Sequence, residues 1–177
     1  MTGGVLSDAD KRSLLDLARE TVAATARGER PPEPRNPSGP LREKGAAFVT
    51  LRSAGELRGC IGHVEAVSPL WESVRDMARA AAERDTRFPP LRPDELAGLE
   101  IEISLLSPLV PIRPEDIRVG THGLYVTRGS QGGLLIPQVA VEWGWDAAEF
   151  LRRTYEKAGL PEGAPAATIQ AFTVEKC

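Results

Sequence analysis

Residues 45–62 read GAAFVTLRSAGELRGCIG, and this stretch predicts a β-hairpin. Its first half is rich in residues that favour strands, and a turn is expected at Ser53-Ala54-Gly55. Residues 56–62 then return as the second strand. This hairpin predicts a sheet in the first half of the chain.

Alternation of side chains along the second strand decides which residues neighbour Cys60. Arg58 and Cys60 are two positions apart, so we expect both on the face opposite the apolar one. A guanidinium beside a thiol favours the thiolate, the form that acts as a nucleophile or metal ligand. Cys60 is therefore a candidate catalytic residue with Arg58 as its activator. The alternative is that Cys60 is a small buried hydrophobe, as free cysteines usually are.

The segments around the hairpin predict further helices and strands without a regular repeat. Helices are expected at residues 7–27, with Ser7 as the cap and Asp10 completing it, at 68–85, and at 146–157 with Asp146 as the cap. Strands are expected at residues 99–106, 123–128, 132–136 and 168–174. Five prolines between Pro31 and Pro40 predict an extended crossing segment. The order predicts a mixed α/β or α+β fold.

Composition limits the classes of protein to consider. The 177 residues fit one domain, and 41% hydrophobic with 27% charged residues is ordinary for a globular chain. A net charge of −3 with 5% aromatic residues disfavours nucleic-acid binding. No apolar run has the roughly 20 residues needed to span a bilayer. The two distant cysteines do not fit a secreted disulfide scaffold, so we expect a reducing cytoplasm.

Other residues could contribute chemistry or simply structure. Asp85 and Arg87 follow the second expected helix, where they form an ion pair at the helix end or wall the Cys60 site. Ser104 shares one face of the strand at 99–106 with two glutamates, and such a face is usually solvated. His122 lies at a turn before a strand, where a site role and a turn role are both open. No cysteine or histidine spacing typical of a metal site occurs, so no metal is expected.

Six motifs in order make the chain resemble the AMMECR domain family, whose prokaryotic members are called AmmeMemoRadiSam system protein A. They are Phe48-Val49-Thr50-Leu51, Leu57-Arg58-Gly59-Cys60-Ile61-Gly62, Asp85-Thr86-Arg87-Phe88-Pro89-Pro90-Leu91, Ile103-Ser104-Leu105-Leu106, His122-Gly123-Leu124 and Leu135-Ile136-Pro137-Gln138-Val139-Ala140. The resemblance implies a single AMMECR-type domain over residues 1–177. It also implies a larger and a smaller subdomain around a mixed or antiparallel sheet, with a cleft between them.

Site residues follow from the resemblance one by one. Cys60 and Arg58 fall on family motif positions as the expected catalytic pair. The expected substrate-binding residues on motif positions are Asp85, Arg87, Ser104, His122 and Gln138. Tyr155 stands where many prokaryotic relatives have cysteine, so a mechanism that uses two cysteines is not expected.

Two hypotheses about function stay open. In the first, the protein is an enzyme or enzyme component that uses a Cys60 thiolate on a small anionic molecule. In the second, it is a binding adaptor, and the resemblance implies a Memo-type protein and a radical S-adenosylmethionine protein as partners. The family has no established activity, and neither the residues nor the resemblance names a cofactor.

Overall fold

A computed structural model describes residues 6–34 and 36–177, so Arg35 of the proline-rich segment lies outside the described residues. The chain divides into two compact units. The first runs up to Leu105 and takes in Glu175–Cys177, and the second is Leu106–Val174.

Helices and strands follow one another in a mixed order. The helices are α1 (Asp8–Ala26), α2 (Gly39–Arg42), α3 (Leu70–Glu83), α4 (Pro137–Glu142) and α5 (Ala147–Lys157). The strands are β1 (Ala46–Ser53), β2 (Glu56–Gly62), β3 (Leu99–Leu106), β4 (Val110–Pro111), β5 (Gly123–Arg128), β6 (Gln131–Leu135), β7 (Thr168–Phe172) and β8 (Val174–Lys176). Within the described residues, no helix combines the length and apolar character needed to cross a membrane.

The first unit packs helices on one face of a four-stranded sheet. The strand order is β2-β1-β3-β8, with β2 at an edge. Helix α3 packs on β1 and β2, and α1 packs on α3. The core between these layers holds fully buried apolar side chains from each of them, including Leu14, Val49, Val74 and Ile103. Alternate residues of the strands therefore face away from the helices.

A β-bulge interrupts the hairpin of β1 and β2. Ser53 pairs with Glu56 across a turn whose central residues Ala54 and Gly55 both have positive φ, as tight hairpins of the primed type require. The register then shifts by one residue, and Arg58 has no partner on β1. Because a bulge breaks the strict alternation of a strand, the two-residue spacing of Arg58 and Cys60 no longer sets their faces.

The second unit packs two helices against its own sheet. The strand order is β4-β7-β5-β6, and every neighbouring pair is antiparallel. Helix α5 packs on β5 and β6, while α4 packs on β5. Phe150 on α5 is fully buried with Leu124 and Val126 of β5. The Asp146 carboxylate accepts a hydrogen bond from the Glu149 N–H and so caps α5.

The mixed α+β fold is confirmed, with both sheets antiparallel. The Ser7 capping box and the Asp146 cap form as expected. Two local expectations were wrong, and one short helix was missed. The expected extended segment ends in a short helix, α2 (Gly39–Arg42), because proline fits the first turn of a helix. Helix α4 starts at Pro137 for the same reason and was not expected. Ser104 is 5% exposed, so its strand face is not solvated there.

Candidate functional site

The Asp85 carboxylate binds the backbone at the free edge of β2. It is almost fully buried and accepts hydrogen bonds from the Cys60 N–H (2.9 Å) and the Arg87 N–H (3.2 Å). The Arg87 guanidinium adds two more, from Nε (2.9 Å) and Nη2 (2.6 Å). These four donors satisfy the acceptor capacity of an ionised carboxylate.

Asp85 therefore stays ionised at neutral pH. The Arg87 guanidinium holds the pKa of Asp85 well below its usual range, and the two backbone donors reinforce this against the opposing effect of burial. The same ion pair raises the pKa of Arg87. The Asp85 carboxylate thus holds a cation beside the backbone of Cys60.

Because β2 is an edge strand, the outward-facing backbone groups of Cys60 have no neighbouring strand to bind, and Asp85 and Arg87 bind them instead. The Cys60 N–H donates to Asp85, and the Cys60 carbonyl lies 3.4 Å from Arg87 Nη2. Both backbone groups of Cys60 consequently point away from β1. Cys60 and its partner Thr50 form a non-hydrogen-bonded pair, the type in which cross-strand side chains approach closest. The Thr50 Oγ1 atom lies 3.2 Å from Cys60 Sγ.

Arg58 belongs to a separate ion pair. Its Nε and Nη2 atoms donate to the two carboxylate oxygens of Glu95 at 2.7 and 3.1 Å, and Nη2 also donates to the Pro89 carbonyl at 3.0 Å. The Arg58 side chain is 12% exposed. The structure thus gives Arg58 a carboxylate partner of its own, and its activation of Cys60 stays a prediction.

Phe88 connects the two ion pairs. The Arg58 guanidinium carbon lies 5.9 Å from the centre of its ring, and that of Arg87 lies 5.6 Å from it. Guanidinium groups at this distance from an aromatic face are attracted by the ring electrons. The segment from Asp85 to Glu95 therefore contacts β2 through both arginines.

Comparisons with known proteins identify the family. The AMMECR1 family model matches residues 15–177. The chain belongs to the AMMECR1 family. A protein of Methanothermobacter thermautotrophicus is 44% identical over 164 residues, covering 88% of this chain and 85% of its own length. One from Thermococcus gammatolerans is 45% identical over 177 residues, covering 92% and 86%.

A solved structure shows the same fold. The crystal structure of an uncharacterized protein from Pyrococcus horikoshii is 37% identical and has a TM-score of 0.87. The match covers 97% of this chain and 92% of that one. The AMMECR1 fold thus extends over nearly the whole chain.

The residues expected to act in this AMMECR1 protein fall into two groups. Asp85 and Arg87 contact Cys60 directly. Ser104 lies on the same sheet face as Thr50 and Cys60, because the alternate residues of β1 and β3 enter the helix-covered core. His122 and Gln138 belong to the second unit.

The two residues in the second unit have contrasting surroundings. The Arg118 N–H donates to His122 Nδ1 at 3.1 Å, so this histidine closes a turn and its neutral form carries the proton on Nε2. The Gln138 Oε1 atom is buried without a hydrogen-bond partner among the described residues. Buried acceptors of this kind are uncommon in folded proteins. The Gln138 Oε1 atom is therefore an acceptor without a donor among those residues, whereas the His122 Nδ1 atom already accepts a hydrogen bond from Arg118.

Sequence reasoning missed Thr50 and Glu95, which the AMMECR1 fold brings to this region. A strict two-residue hairpin would place Thr50 opposite Gly59, and only the bulge moves it opposite Cys60. Glu95 lies in a 3₁₀ turn at Pro93–Glu95, and its carboxylate accepts the Arg92 N–H at 2.9 Å. The acidic residue three positions after Arg92 was the one available signal, because carboxylates often cap such turns.

Metal ligation finds no support among residues 6–34 and 36–177 of this AMMECR1 protein, where no three acidic, histidine or cysteine side chains converge. Cys177 is a free cysteine whose backbone pairs with Ile103. Burial raises the pKa of the Cys177 thiol. The polar groups at β2 include the Cys60 thiol, the Thr50 hydroxyl and the exposed part of Arg87.

Replacing Glu95 with glutamine is expected to lower the free energy of unfolding by about 1 to 2 kcal/mol at neutral pH. The hydrogen-bonded Arg58 side chain, with help from the Arg92 N–H, lowers the pKa of Glu95 from 4.5 to about 2. A lowered folded pKa stabilises the protein above pH 4.5, and this stability is lost as the pH falls from 4.5 towards about 2.

Urea unfolding of both proteins over this pH range measures the difference. The gap between wild type and Glu95→Gln should close as the solution is acidified. A gap that stays constant with pH would show that Glu95 carries no ionised pair.

Proposed function

We propose that this protein binds a small anionic molecule beside Cys60, with Arg87 as the cation and the Cys60 thiolate as the reacting group. One observation carries the proposal. The Arg87 guanidinium is held by buried Asp85 at the position of Cys60, yet 55% of the Arg87 side chain is exposed. Its Nη1 atom has no partner among the residues that the structure describes.

The geometry favours an anion for a physical reason. Arginine presents a planar fork of donors that matches carboxylate and phosphate oxygens. Asp85 occupies Nε and Nη2 and so fixes the orientation of the fork. A fixed donor loses less conformational entropy on binding than a mobile surface arginine. Arg87 is thus prepared for a ligand, whereas Arg58 is largely buried against Glu95.

The surroundings of the Cys60 thiol support its contact with such a ligand. Cys60 is half-buried on an edge strand, and Thr50 Oγ1 can donate a hydrogen bond to its sulfur. A hydrogen bond to the charged form and a nearby guanidinium both stabilise a thiolate. These contacts support a nucleophilic role for Cys60 on the bound anion.

Alkylation of Cys60 by two reagents that differ in charge tests the proposal. Iodoacetate and iodoacetamide share the same leaving group and attacked carbon, so the ratio of their rates cancels the thiolate fraction. The experiment uses a Cys177→Ser background in which Cys60 is the sole thiol. Wild-type Cys60 should prefer iodoacetate relative to a small free thiol, and added salt should weaken this preference.

Matched variants identify the cation. Arg87→Gln should lower the iodoacetate-to-iodoacetamide ratio about threefold to tenfold, as the loss of one unit charge several ångströms away implies. Arg87→Lys should retain most of the ratio, and Arg58→Gln should leave it unchanged. A ratio that falls with Arg58→Gln and not with Arg87→Gln would reject Arg87 and favour Arg58. A wild-type ratio equal to that of the free thiol would reject the anion site.

A protein-binding adaptor is the second candidate, and an exposed aromatic surface supports it. Trp143 is 71% exposed and stacks on Trp145 at 6.1 Å, and Val141 beside it is 59% exposed. Exposed tryptophan is enriched where proteins bind one another. A Memo-type protein and a radical S-adenosylmethionine protein are the partners proposed in this case. If the alkylation of Cys60 shows no preference for iodoacetate, the adaptor becomes the favoured candidate.

A further inference from the structure

A cavity of about 420 Å³ lies within the second unit. This volume falls in the range of roughly 300 to 1,000 Å³ that ligand pockets occupy. Helix α5 supplies half of the lining residues, and the loop after it and β7 supply most of the others. The lining is Pro114, Ala147, Ala148, Leu151, Tyr155, Glu162, Gly163 and Ile169.

Small side chains create this space. Ala147 and Ala148 occupy the first turn of α5, and Gly163 faces them from the loop that follows the helix. Leu151 and Ile169 make the wall apolar. A cavity with these walls favours a ligand whose surface is mainly apolar.

Tyr155 is the buried polar residue of the cavity. The residue as a whole is only 4% exposed, and its hydroxyl forms no hydrogen bond with the described residues. The hydroxyl is not among the fully buried polar atoms that lack a partner, so it lies on the small accessible part of the side chain. The Tyr155 hydroxyl is therefore available to a molecule inside the cavity.

We propose that this cavity is a binding site for a small, neutral, mainly apolar molecule with one polar group that hydrogen-bonds to Tyr155. The Glu162 carboxylate lines the same cavity and is exposed, which disfavours an anion there. The ligand class thus differs from that of the Cys60 site, and none of the lining residues belongs to the first unit.

Titration of the full chain with 4-methylphenol and with toluene tests the site. The two probes have nearly the same shape, and 4-methylphenol alone carries a hydroxyl. Both should shift the methyl resonances of Leu151 and Ile169 in carbon-13 NMR spectra. The 4-methylphenol should bind more tightly, by about threefold to tenfold, the equivalent of one net hydrogen bond.

Two variants test separately how the Tyr155 hydroxyl and the volume of the cavity contribute to binding. Tyr155→Phe should bind 4-methylphenol no more tightly than toluene, and toluene should bind as it does to wild type. Ala148→Phe should abolish binding of both probes by filling the cavity. Ala9→Phe is the matched control, because Ala9 is also the second residue of an exposed helix start, in α1, and should bind like wild type.

Three results would overturn the proposal. One is the absence of shifts at Leu151 and Ile169 with either probe. Another is undiminished binding in Ala148→Phe, and the third is an unchanged preference for 4-methylphenol in Tyr155→Phe. Thermal unfolding of each variant confirms that the fold is retained.

Discussion

Gly59→Ala should lower the free energy of unfolding by about 3 kcal/mol. A Cβ atom at Gly59 would lie 2.3 Å from the carbonyl oxygen of Ala81 in α3 and 3.7 Å from Leu51 Cδ1. Real Cβ atoms do not approach oxygen so closely, and a helical carbonyl cannot rotate away as a side chain could. Helix α3 would have to move off the sheet, and the core between them would lose contacts.

The displacement would also reach the candidate site. Ala81 lies four residues before Asp85, so movement of the last turn of α3 shifts the carboxylate that binds the Cys60 N–H. We therefore expect Gly59→Ala to weaken the charge preference of Cys60 alkylation as well as the fold.

Gly39→Ala is the matched control for this substitution. Nothing lies within 4 Å of a Cβ atom built at Gly39, and its φ is not in the left-handed region. We expect its unfolding free energy to stay within about 0.5 kcal/mol of wild type. Urea denaturation measures both variants, with an unchanged m value as the sign that the unfolded state is the same. Equal stability of the two variants would contradict close packing of Gly59 on α3.

Asp85→Ala is the second large expected effect, again about 3 kcal/mol at neutral pH. It removes a carboxylate that accepts four hydrogen bonds and leaves the Cys60 N–H at the strand edge without its partner. Because its pKa is lowered in the fold, ionised Asp85 stabilises the protein above the ordinary carboxyl pKa of 3.8. That stability is lost as the pH falls below 3.8 towards the lowered folded value.

Asp94→Ala provides a control of the same chemistry. Asp94 also forms a two-bond ion pair with an arginine two residues away, Arg92, but both side chains are largely exposed. Exposed pairs contribute little, so we expect a change within about 1 kcal/mol.

Hydrogen exchange provides a local measurement for the same pair of variants. The Cys60 amide should exchange faster in Asp85→Ala and not in Asp94→Ala. Equal effects of the two substitutions on stability and exchange would show that the buried position of Asp85 is unimportant.

Local sequence signals identified much of the fold. The caps at Ser7 and Asp146 form between residues three positions apart, so no distant contact is needed to predict them. The strand Leu99–Leu106 and the hairpin around Ala54-Gly55 also follow from local patterns. Helix α4 was missed because its six residues are too short for a periodic pattern, although Pro137 at its start is a known signal.

The surroundings of Cys60 depended on tertiary structure. Strand periodicity placed Arg58 beside the thiol, but the bulge at Arg58 breaks that periodicity and sets Thr50 opposite Cys60. A bulge needs two paired strands, and neither strand alone indicates it.

The sequence by itself determined the mixed α+β fold, the family, and Cys60 with Asp85 and Arg87 as candidate residues. Only the tertiary structure decided which arginine contacts the backbone of Cys60. Glu95, which is 37 residues from Arg58 in the chain, binds its guanidinium, while Asp85, 25 residues from Cys60, holds Arg87 at the edge of β2. Each guanidinium is positioned by its carboxylate partner, and those partners meet only when α3 and the segment after it pack against β2.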